Sequence, residues 1–127
     1  MLRILGEGLN FDKEQAAKMA TPFGGGLSRF GTVCGAVVGG AMAIGFCFGR
    51  TRAEEKDKRE KTYAKVQDML RDFEKEFGTL QCKGLIQLNL LDPADRKKFQ
   101  DLKLTNRCAG FVALVVEKTR QLVRDES

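Results

Sequence analysis

The chain has 127 residues, 43% apolar and 31% charged with two prolines, a length and mix that predict one domain over residues 1–127 and exclude disordered, collagen-like and low-complexity classes. It contains no histidine, which removes histidine general bases, Ser-His and Cys-His nucleophile pairs, His-ligated zinc and CxxCH haem attachment, so chemistry falls to cysteine, carboxylates, lysine and arginine. The net charge of +5 is spread out, with 4 basic against 3 acidic residues over 1–49, 9 against 8 over 50–76 and 9 against 6 over 77–127, so there is no basic stripe of the kind that binds nucleic acid.

Helical periodicity runs through almost the whole chain, and no two-residue alternation is long enough for a strand. The expectation is an all-α fold, a compact bundle of four to five helices around a central Gly/Ala-rich helix. The apolar stretch at 1–5 is too short for a signal peptide and is followed by Gly6 and Glu7, which points to a reducing cytoplasm. Asp12 with Gln15 three positions on starts a helix over 12–23, and Gly24, Gly25 and Gly26 stop it.

A helix over 32–49 comes next, apolar on every side. No charge lies between Arg29 and Arg50, so the segment is long enough for a single-pass membrane span, and Gly31, Gly35 and Gly39 are spaced as in packed transmembrane dimers. Its glycines and alanines give it weak transfer energy, however, and the amphipathic helices on either side need a central partner, which favours a buried helix in a soluble bundle. From about Ala53 a long charged helix carries Tyr63, Val66, Leu70, Phe73 and Phe77 as its buried seam, and Gly78 ends it. Its first two turns precede that seam and project as a surface on which a homodimer would form. An irregular stretch around Gly84 and a short helix begun by Asp92 and Pro93 follow. Asn106 opens a last helix with Cys108, Phe111, Val112, Val115 and Leu122 facing inward.

Four cysteines in a reducing compartment read as a redox site, a metal site or plain small core residues. Thr32, Thr79 and Asn106 precede Cys34, Cys82 and Cys108 as helix caps would, placing all three thiols in first helical turns, where the macrodipole favours thiolate. Cys47 stands apart. Along one continuous helix the 13 residues from Cys34 rise about 20 Å, so the two sulfurs cannot meet. Beside Phe46 and Phe48, Cys47 should be an inert thiol with a raised pKa. Gly24–Gly26 with Ser28 and Arg29 matches neither the P-loop nor the dinucleotide fingerprint. The acidic pairs Glu54-Glu55 and Glu74, Glu76 lie on the solvated helix, not in a carboxylate active site.

The run Phe23-Gly24-Gly25-Gly26, Arg29 and Cys34-Gly35-Ala36-Val37-Val38-Gly39, followed by single cysteines at 82 and 108, resembles the C_GCAxxG_C_C family over roughly residues 12–124. The resemblance implies a small helical, cysteine-dependent redox protein acting by thiol–disulfide chemistry or electron transfer with an unidentified redox partner. It carries over Cys34, Cys82 and Cys108 as the reactive residues. Gly24, Gly25, Gly26, Arg29, Gly35, Ala36 and Gly39 would line the site, the glycines as a backbone nest and Arg29 opposite a thiolate or an anionic cluster. The family includes relatives of split-Soret cytochromes, but no haem motif is present here. The family's first cysteine is also missing; the resemblance implies that the N-terminal helix that carries it is cut down here to residues 2–9, which fits a protein that begins upstream of Met1. Cys47 has no counterpart. The alternative to thiol exchange is a binding module in which Cys34, Cys82 and Cys108 ligate an iron–sulfur cluster or another soft metal.

Overall fold

The computed structural model describes residues 12–124; the expected helix over 2–9 lies outside them. Helix α1, Lys13–Ala20, begins where Asp12 accepts from the N–H groups of Glu14 and Gln15 at 2.9 and 3.3 Å. A 3₁₀ turn, Thr21–Phe23, follows with Pro22 in its first turn, so the segment expected as one helix is a helix and a tighter turn. The glycines then form the single turn Gly24–Leu27.

Helix α2, Gly35–Phe48, is the central helix expected, with Ala36, Val37, Gly39, Gly40, Ala43 and Ile44 buried. It starts three residues later than predicted and its N-cap is Cys34 itself. Thr32 does not cap it, because its N–H and hydroxyl both donate to the Gly26 carbonyl, at 2.9 and 2.8 Å. Helix α3, Lys56–Phe77, buries Met69 and Phe73 and stops at Gly78, whose φ of 90° is left-handed and whose N–H donates to the Glu74 carbonyl at 2.7 Å. The seam is narrower than predicted. Tyr63 is 53% exposed, with the Arg59 guanidinium 6.0 Å from its ring centre.

Helix α4, Cys82–Ile86, occupies the stretch expected to be irregular, which brings the described helices to six rather than four or five. Helix α5, Pro93–Asp101, is capped by Asp92, and α6 spans Thr105–Arg124. Asn106 is therefore inside α6, with its N–H donating to the Lys103 carbonyl at 3.1 Å.

The core is where α2 lies against both α3 and α6. Gly40 makes that approach feasible. A Cβ there would lie 2.5 Å from Val115 Cγ1 and 2.6 Å from Met69 Sδ, so any larger residue would push one of the three helices away. Thr119 is fully buried beside it and satisfies its hydroxyl by donating to Met69 Sδ at 3.7 Å. Phe73, Phe77 and Phe111 meet with ring centres 4.8 to 5.8 Å apart, and Lys118 on α6 bridges Asp68 and Asp72 on α3. Among the described residues no helix is long and apolar enough to cross a membrane; α2 spans 14 residues, because the chain before Cys34 is committed to turns.

Candidate functional site: three thiols around one cavity

Two short segments far apart in sequence pair in front of α2. Val33 and Gln81 form an antiparallel bridge, flanked by hydrogen bonds from the Cys34 N–H to the Leu80 carbonyl at 2.8 Å and from the Cys82 N–H to the Thr32 carbonyl at 2.6 Å. Alternation across this pairing puts Val33 and Gln81 on the outer face and Cys34 and Cys82 together on the inner one. Exposure agrees, since Val33 and Gln81 are exposed and both cysteines are buried. In such a ladder Cys34 and Cys82 are diagonal neighbours, with Cα atoms typically about 7–8 Å apart.

The glycine loop closes over this pair. Gly25, Gly26, Leu27, Ser28 and Arg29 all have positive φ, from 52 to 73°, a left-handed run that costs each non-glycine residue about 1 kcal/mol or more. Hydrogen bonds hold it, from the N–H and hydroxyl of Ser28 to the Pro22 carbonyl and from the Gly31 N–H to Gly25. A Cβ on Gly26 would fall 2.5 Å from Cys82 Cβ and 2.8 Å from the Thr32 nitrogen. Only glycine has both the φ and the room. The loop is thus more than a helix stop, because it lays backbone directly on a thiol-bearing residue.

Behind the pair is a cavity of about 880 Å³ lined by Cys34, Cys82 and Cys108. Gly24, Gly25, Gly26, Arg29, Gly35 and Ala36 line it as well. Gly39 does not, and faces a smaller cavity of about 210 Å³ that shares Gly24, Gly35 and Ala36 with the first. Of the apolar walls, only Phe111 on α6 is predicted from the sequence; Leu85, Ile86, Leu90 and Phe99, and the cations Arg96 and Lys103, are not. No local signal marks them, because they come from α4, the loop after it, α5 and the turn before α6. Cys47, one residue from the far end of α2, is absent from the lining.

All four cysteines are free thiols, and burial raises every one of their pKa values, which reverses the expectation for Cys34, Cys82 and Cys108 and meets it for Cys47. Cys82 is pushed up to about 11 by burial, then by the charges that Cys34 and Cys108 would carry. Cys34 also repels a thiolate at Cys108, so the three sulfurs sense one another. At Cys34 burial dominates, while the Ala36 and Val37 N–H groups pull the other way without forming a full capping hydrogen bond to the neutral thiol. Cys108 is raised by burial and by Cys34, and Arg107 offsets part of this. The predicted caps fail for a simple reason: Thr79 accepts from the Gln81 N–H instead, and the thiols are buried too deeply for helix ends to compensate.

Among the described residues no group of three His, Cys, Asp or Glu side chains is placed to hold a metal ion, and Cys47 is at the opposite end of α2 from Cys34.

No curated protein and no solved structure matches the chain. A family pattern does, described as "putative redox-active protein (C_GCAxxG_C_C)", and it covers residues 1–122. That match reaches back through the chain's first residues, beyond the stretch that carries the motif, and on this evidence the chain belongs to the C_GCAxxG_C_C family.

Proposed function

We propose that the protein is a thiol–disulfide redox protein in which Cys34 and Cys82 interconvert between dithiol and disulfide, with Cys108 as the third thiol of the same cavity. The observation that supports this most is the bridge between Val33 and Gln81, which holds the two buried cysteines on one face. Diagonal Cα atoms at about 7–8 Å need an approach of roughly 1–2 Å to reach disulfide geometry.

The attacking sulfur is Cys34. Its thiolate alone has two backbone N–H groups favouring it. It displaces one sulfur of a disulfide substrate, forming a mixed disulfide and releasing the first thiolate. Once Cys34 is bonded it no longer carries charge, so one of the causes that raise the Cys82 pKa disappears. Cys82 then loses its proton to solvent and attacks the Cys34 sulfur, releasing the second thiolate and closing the protein disulfide. The protein gives up two electrons and two protons, and the substrate disulfide gains both as two thiols. The reverse sequence oxidises two substrate thiols.

Peptide mapping of the oxidised, full-length chain without reduction tests this. A Cys34–Cys82 crosslink is the expected product. Recovery of four free thiols after incubation with excess disulfide would overturn the reading.

A further inference from the structure

The charged residues that line the cavity are all cationic. Arg29, Arg96 and Lys103 line it, and no Asp or Glu does. Among the described residues none of these three side chains is held in an ion pair or a hydrogen bond. The three come from separate elements, the left-handed loop, α5 and the turn before α6, and converge only through the fold. Two of them also stand on left-handed backbone, Arg29 at φ 73° and Lys103 at φ 52°. Such strain concentrates at sites that place a side chain for a ligand. The walls below the rim are apolar, and the volume of about 880 Å³ is that of a small-molecule site rather than a groove for a folded partner.

Resting on the exchange reading above, we infer that the substrate of the three thiols is a low-molecular-weight anionic disulfide or thiol whose carboxylates pair with Arg29, Arg96 and Lys103. The apolar walls hold its carbon skeleton, and the rim fixes which way its sulfur faces. The cations also serve the chemistry. A thiolate leaving from such a substrate carries extra negative charge into a cavity where burial already disfavours the protein's own thiolates, and fixed positive charge at the rim stabilises it.

The test uses the reduced full chain and three disulfides of similar size: bis(2-carboxyethyl) disulfide, neutral bis(2-hydroxyethyl) disulfide and the dication cystamine. Each rate of Cys34–Cys82 oxidation is divided by that of the same disulfide with a small neutral thiol in free solution, which removes intrinsic leaving-group differences. The dianion should react about three- to ten-fold faster than the neutral compound, and the dication slower still. The combined R29Q, R96Q and K103Q variant should lose the preference while still reacting with the neutral disulfide. Lys58→Gln, at the far end of α3, removes one charge and should keep it. If the combined variant does not fold, the native chain carries the same test, since its preference should collapse as ionic strength rises from about 10 mM to about 500 mM. Equal normalised rates for all three disulfides, or a preference that persists in the variant or in high salt, would overturn the anionic substrate and leave exchange standing. Failure of all three to oxidise Cys34 and Cys82 would overturn both.

Discussion

The two ends of α2 each carry a cysteine, and they differ in what surrounds it. At the N-terminal end Cys34 caps the helix, pairs its backbone with Leu80 and opens onto the cavity. At the other end Cys47 sits between Phe46, which is 59% exposed, and Phe48, whose ring has the ammonium groups of Lys61 and Lys65 at 5.1 and 4.7 Å. Burial raises the pKa of both thiols, so acidity does not tell them apart. What separates them is company. The charge of Cys34 raises the pKa of two other thiols, Cys82 and Cys108, whereas burial alone acts on Cys47. Cys34 is distinguished by the segments brought to it across the chain, more than by its own helix position.

Mutating the two cysteines gives the largest contrast. Cys34→Ser should abolish formation of the intramolecular disulfide, and Cys47→Ser should leave it intact, as read by thiol titration and non-reducing peptide mapping. A Cys34–Cys47 crosslink in the oxidised monomer would erase the distinction between the two ends.

Glycines along the same region sharpen the contrast in stability. Gly26→Ala should destabilise by about 2–4 kcal/mol in chemical denaturation, because a methyl group meets Cys82 Cβ at 2.5 Å on backbone with φ +64°. Gly45, near Cys47, has open space around its Cβ position. Gly45→Ala should therefore stabilise by up to about 1 kcal/mol, the helix-propensity gain alone.

The pH dependence checks the burial of the thiols. Exchange rates should rise about tenfold per unit between pH 7 and 9, because the reactive thiolates are minor species throughout this range, with Cys34 and Cys108 raised above 9.0 and Cys82 at about 11. Stability should move the opposite way. The unfolded chain releases these protons first, so the fold keeps its full stability below the unfolded thiol pKa and loses some as pH rises from about 9 towards 11. A rate already flat at pH 7 would mean that the site lowers, and does not raise, its thiol pKa values.

The smallest effect belongs to the inert end. Cys47→Ala should cost no more than about 1 kcal/mol, since the residue is only half-buried, and its thermal unfolding should otherwise match the native chain.

Much of the helical layout was legible from local signals: Asp12 as a cap, Asp92-Pro93 as a start, Gly78 as a stop, and the apolar spacing of Val66, Phe73, Phe111, Val115 and Leu122. The errors share a cause. Thr32, Thr79 and Asn106 look like caps, but Thr32 is committed to a glycine loop that no helix rule describes, Thr79 accepts from the Gln81 N–H, and Asn106 lies inside α6. Tyr63 has helical spacing but stays in solvent, 53% exposed.

For the site, the motif and the 13-residue helical separation from Cys34 set Cys47 apart, and the motif marked the glycines and Arg29. The sequence by itself therefore determined the helical class, the central small-residue helix and the three cysteines that line one cavity, because periodicity, capping and motif spacing are local properties of the chain. Only the tertiary structure decided that Cys34 and Cys82 share a face, that their pKa values rise and that Arg96 and Lys103 join Arg29 at the rim. Those depend on desolvation and on contacts between segments dozens of residues apart, which exist only once the helices have packed.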